Sequence, residues 1–297
     1  MANEFAVGDR LTNTLARARG AAGGGPIGTG HLLFALAGDK DVAPRLDPFE
    51  ITPVVVWAVL ATPGRATADE ASDDSARGAD DRVLAVTANA AAALRGVTDD
   101  SRAALLDRLL DDPGAEASAV IRDCGVDLTA VRENLAPQPD RLAPDLRPAR
   151  DALIGRVRYR GRGLKDRLLF SVLARQINHG DRAVTWTRLE ADERARTAGR
   201  STRTDDILLA LLVTHEVARA YPHLSGGGTY GGGEGLLARG ITSERVRAAA
   251  LDDRRDDVPP GKILVPGPDW TEDTQVLLDR LTAHPGNRAT RLLAQLS

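Results

Sequence analysis

Residues 46–56 read LDPFEITPVVV, and their spacing decides the fold. An apolar residue, Leu46, is followed five positions later by Ile51. A capping residue, Thr52, comes next, and Val56 stands four positions after the cap. The same element recurs as Ile121…Val126-Asp127…Val131 and as Leu236…Ile241-Thr242…Val246. Each reads as the end of one helix and the capped start of the next, because Ser, Thr and Asp side chains accept the unpaired N–H groups of a first helical turn. Each element follows a Leu-rich helix start, at Leu32-Leu33, Leu105-Leu106 and Leu208-Leu209. The first two caps are 75 residues apart. This predicts a four-helix unit of about that length, repeated with decay. The Gly-rich run SGGGTYGGGEG at 225–235 lengthens the third copy, and LLFSVL at 168–173 reads as a truncated one.

Outward from these elements the pattern stays helical. Apolar positions recur at helical spacing over 5–19, 81–95, 101–111, 115–123, 187–199 and 204–220, among others. Thr202 with Asp205 three residues later resembles a capping box. Aromatics make up 3% of the chain, and its apolar residues are mostly Ala, Leu and Val. That composition favours close-packed helices over strands rich in aromatic and β-branched residues. An all-α fold is the expectation. The breaks predict three parts. Residues 1–137 form one helical module, and a Pro-rich boundary at 137–148 separates it from a second, more divergent module at 147–252. Residues 253–297 form a Pro-rich connector with a short helical tail. Residues 62–80 read as a polar linker and the Gly-rich run as a flexible loop.

Composition narrows the function. With 42% hydrophobic and 27% charged residues, the chain can bury a core. A net charge of -3 is too small for a bulk nucleic-acid binder. One cysteine, Cys124, excludes an internal disulfide and any multi-cysteine zinc site. The sequence shows neither an 18-residue apolar run nor a signal peptide, so the cytoplasm is the expected location and no membrane partner is expected. Charge is unevenly placed, however. Residues 147–204 carry 15 basic and 6 acidic residues, a net of +9. A solvated helix face is one reading of this stripe. A nucleic-acid surface is the alternative.

Catalytic patterns do not emerge. Pro260-Gly261-Lys262 lacks the upstream glycine and the Ser/Thr of a phosphate loop. His215-Glu216 begins like a zinc-protease helix, but position 219 is Arg, so His215 and His223 read as surface histidines. Cys124 sits where a repeat element predicts a packing residue. His31 reads as the residue that fixes a helix start by a hydrogen bond. The expectation is a protein that is not an enzyme and needs no cofactor or metal.

The stretch IGTGHLLFALAGDKDVAPRL at 27–46 resembles the signature of the Clp N-terminal (Clp R) domain family, and CGVDLTAVRENL at 124–135 is similar to the end of that family's second repeat. STRTDDILLALL and GLLARGITSERVR resemble the same pattern in the second module. The resemblance covers residues 5–136 and 147–252 and implies two tandem Clp N-terminal-like modules without the ATPase. It implies a recognition protein whose partner is a Clp unfoldase, its clients or adaptors, an arginine-phosphorylated peptide or a cyclic-peptide antibiotic. The protein would act as accessory or decoy. The family's guanidinium-binding acid falls on Gly30 and Ala103 in the first module, which removes the charge. It falls on Asp166 and Asp205 in the second, which makes these the implied ligand residues. Phe5 matches the aromatic beside the family's apolar groove and is the third implied contact.

Overall fold

The computed structural model describes residues 3–137, 140, 142–160, 178–251, 253–264 and 272–297. They are mostly helical, and they form two compact units, Met1–Asp140 and Arg141–Ser297. Among the described residues no helix is long and apolar enough to cross a membrane.

The first unit contains helices α1 (Asp9–Ala22), α2 (Thr29–Ala37), α3 (Ala43–Leu46), α4 (Pro53–Leu60), α5 (Ala88–Arg95), α6 (Arg102–Asp111), α7 (Glu116–Asp123) and α8 (Leu128–Arg132). Short strands β1 (Glu4–Ala6), β2 (Ser75–Arg77) and β3 (Val83–Ala85) form a sheet in that order. β1 runs parallel to β2 with Phe5 opposite Ala76, and β3 is antiparallel to β2. Helix α2 is the hub. Its Leu32, Leu33 and Leu36 are fully buried and it packs against α1, α4, α6 and α7.

The sheet corrects the expectation of helices over 5–19 and 81–95. Helix α1 starts only at Asp9, because the Asp100 carboxylate accepts from the N–H groups of Arg10 (2.9 Å) and Leu11 (3.1 Å) and fixes the first turn there. A Cβ on Gly8, the residue before it, would lie 2.3 Å from the Asp100 carboxyl carbon. Residues 62–80 are not a mere linker either, since they supply β2 and the buried Asp69.

The second unit contains α9 (Arg147–Leu153), α10 (Ala183–Thr197), α11 (Thr204–Ala220), α12 (Gly231–Ala238), α13 (Ser243–Ala248), α14 (Pro260–Ile263), α15 (Thr274–Thr282) and α16 (Arg288–Leu296). Helix α11 is the hub here, with Ile207, Leu208, Leu211 and Leu212 fully buried. The helices of 253–297 are not a separate tail. Ile263, Leu277, Leu281, Ala289 and Leu292 belong to the same core as Leu208 and Leu211. The second half of the Gly-rich run is not a loop, because residues 231–235 build the first part of α12, while 225–230 stay outside any helix. A Cβ on Gly232 would lie 2.3 Å from the Thr274 carbonyl oxygen, and one on Gly233 would lie 2.4 Å from the His215 Cβ. These glycines are there for close approach.

The three cap elements share one geometry. Glu50, Gly125 and Gly240 are left-handed, with φ of 61°, 73° and 72°. The next N–H returns to the fifth carbonyl back: Ile51 to Leu46 at 3.3 Å, Val126 to Ile121 at 3.2 Å, Ile241 to Leu236 at 3.0 Å. Thr52, Asp127 and Thr242 then accept from the following helix's first turn.

Candidate functional site

The position implied for ligand binding lies at the start of each hub helix, where a second helix start is tied to it. In the first unit, Asp69 ties α2 to α7. Its carboxylate accepts from the Thr29 N–H (2.5 Å), the Thr29 hydroxyl (2.7 Å), the Thr87 hydroxyl (3.0 Å) and the Glu116 N–H (2.9 Å). The Thr29 hydroxyl in turn accepts from the Ala117 N–H at 3.0 Å. In the second unit, Asp256 ties α11 to α16. It accepts from the Thr204 N–H (3.0 Å), the Thr204 hydroxyl and the Arg288 N–H (2.8 Å), while the Thr204 hydroxyl accepts from the Ala289 N–H (3.0 Å). Each carboxylate satisfies N–H groups that a helix start leaves unpaired, and the helix dipoles favour its charge there.

The residue after each threonine is the implied ligand position. In the first unit it is Gly30. A Cβ there would meet Leu60 Cδ2 at 2.7 Å and Glu116 Cγ at 2.8 Å, so the position is filled by its neighbours. Glu116 is 3% exposed; its carboxylate pairs with Arg65 and accepts from the Ala68 N–H at 2.5 Å. In the second unit the residue is Asp205. It is not in a capping box with Thr202, whose hydroxyl goes to Asp192. Asp206 does the capping instead, accepting from the Arg203 N–H (2.8 Å) and from the Arg200 fork at 2.5 and 2.7 Å. Asp205 Oδ2 accepts from Arg288 Nε at 3.0 Å, and its Oδ1 is buried with no hydrogen-bond partner among the described residues. Arg288, buried to 5% exposure, also donates to the Arg254 carbonyl. The acid therefore already holds a guanidinium from its own unit.

Asp166 lies outside the described residues. Phe5 lies on β1, half-buried, with the Arg95 guanidinium 4.4 Å from its ring centroid. Arg95 is held there by Asp74 at 2.7 Å. The Phe5 face is thus covered from within its unit.

The other singled-out residues are structural. His31 Nδ1 accepts from the Gly28 N–H at 3.0 Å, as its helix-start role requires, and burial lowers its pKa despite nearby Asp69. Burial pushes the Cys124 thiol up to about 12, far from a thiolate nucleophile. His215 is buried rather than on the surface, packed against Gly233 and near the Tyr230 ring, and burial lowers its pKa. Glu216 accepts from the Ser243 N–H and hydroxyl and so starts α13. Several arginines of the basic stripe and its neighbours are consumed internally. Arg150 and Arg156 share Asp151, Arg194 pairs with Glu190 and Arg200 with Asp206.

A buried aromatic cluster completes the second unit. The Trp186 indole N–H donates to the Tyr159 hydroxyl (2.8 Å), which donates to Glu190 (2.9 Å). Burial pushes the Tyr159 pKa well up. His179 meets the Tyr159 ring edge-on at 5.4 Å, and burial lowers its pKa to about 4.

Sequence reasoning missed Asp69, Asp256, Glu116 and Arg288. A signal existed for the last two. Residues 105–109 and 277–281 both read LLDRL, and both strings are followed by Pro-Gly, at 113–114 and 285–286. That match sets Glu116 against Arg288. It also sets Ala103 against Gln275. No such signal marks Asp69 or Asp256, which sit in stretches without periodicity. The chain matches no family model, no curated protein and no solved structure.

Proposed function

We propose that this chain is a non-catalytic recognition protein made of two Clp N-terminal-like modules. Each module is a pair of helical half-repeats, and residues 253–297 supply the second half-repeat of the second module. The observation that carries the reading is the doubled helix-start lattice. Thr29–Asp69–Glu116/Ala117 and Thr204–Asp256–Arg288/Ala289 make the same bonds in the same order. Two copies of one rigid scaffold, each with surface grooves between helices, suit the display of binding faces for a peptide, an adaptor or a Clp unfoldase.

Within this reading, Gly30 leaves the first module without a charged arginine reader. Asp205 is the one described acid at the implied position, and Arg288 is its internal competitor. A planar carboxylate–guanidinium pair is specific, so an incoming arginine must displace Arg288. The test is calorimetric titration of the purified chain with an arginine-phosphorylated peptide, a Clp-directed cyclic peptide and a Clp unfoldase. At least one should bind saturably. For the arginine peptide, Arg288→Gln should raise affinity and Asp205→Asn should abolish it. Three flat titrations would sink the reading. Loss of salt-sensitive DNA binding on neutralising Arg158 and Arg160 would favour the nucleic-acid alternative instead.

A further inference from the structure

We draw no further inference here: the strongest candidate, the face of α4 that carries half-buried Val54, Trp57 and Leu60 beside the Phe34 ring, is an apolar surface patch, and nothing in the structure shows what covers it.

Discussion

The starts of α2 and α11 are locked by the same device and finished in opposite ways. Asp69 and Asp256 each bind a threonine twice and reach the start of a second helix. One residue further on, the first unit has Gly30 packed against the acidic Glu116, and the second has Asp205 paired with the basic Arg288. Glycine makes room for a carboxylate from the neighbouring helix, whereas aspartate calls for a base. The lesson is that the lattice is set by backbone N–H groups, which every sequence has. The charge displayed beside it is free to change, provided both helices change together.

The largest expected effect comes from breaking the lock. Asp69→Ala leaves buried N–H and hydroxyl groups of Thr29, Thr87 and Glu116 without their acceptor, and should cost the first unit about 3–5 kcal/mol. Asp256→Ala should cost less, because Asp256 is only half-buried and, among the described residues, has no partner matching Thr87. Hydrogen exchange at the amides of Thr29 and Glu116, and of Thr204 and Arg288, localises each loss. Equal destabilisation by the two substitutions would show that burial does not set the difference.

Acid should separate the units next. His179 has its pKa lowered to about 4 by burial, below its unfolded value near 6.5. The unfolded chain therefore binds more protons between these values. Stability is present above about pH 6.5 and is lost as pH falls toward 4, by about 2–3 kcal/mol. His215 shifts in the same direction and adds to the second unit, while His31 acts likewise in the first. Denaturation midpoints at pH 7 and pH 4.5, for wild type and His179→Gln, check this. The variant should lose much of the pH dependence. An unchanged slope would remove His179 as the cause.

Glycines of the second unit give a sharper, smaller contrast. Gly232→Ala drives a Cβ into the Thr274 carbonyl and should destabilise by about 1–3 kcal/mol. Gly235→Ala, three residues on in the same helix, meets no close neighbour and should stabilise by up to about 1 kcal/mol through helix propensity. Melting curves of both variants decide it; a shared sign would mean that α12 is less closely packed than its contacts indicate.

The smallest effect tests the feature the units share most closely. Thr52→Ala and Thr242→Ala should each cost about 1 kcal/mol, because each removes one side-chain acceptor from a first helical turn. Urea midpoints that differ strongly between the two would break the equivalence of the cap elements.

Much of the fold was legible because helix ends are local. The caps Thr52, Asp127 and Thr242 and the Leu pairs of α2, α6 and α11 follow from spacings of a few residues, whereas the left-handed turn at Glu50, Gly125 and Gly240 came only with the structure. The candidate site was legible only in part. Asp205 could be placed at a helix start, but its engagement with Arg288 lies 83 residues away along the chain. Phe5 read as helical because its neighbours suit a helix, and it became a strand through pairing with residues 75–77.

What the sequence by itself determined is the helical class, the cap elements and the residues of the hub helices. Each arises from hydrogen bonds and apolar spacing within one or two turns. The tertiary structure alone decided that Asp69 and Asp256, in stretches without periodicity, hold helix starts together. It alone placed α14, α15 and α16 in the core of the second unit and turned the second half of the Gly-rich run, residues 231–235, into a packed helix. These outcomes depend on which distant surfaces meet. A buried carboxylate 40 residues from its threonine, or a glycine pressed against a carbonyl 42 residues on, leaves no pattern in the string of residues around it.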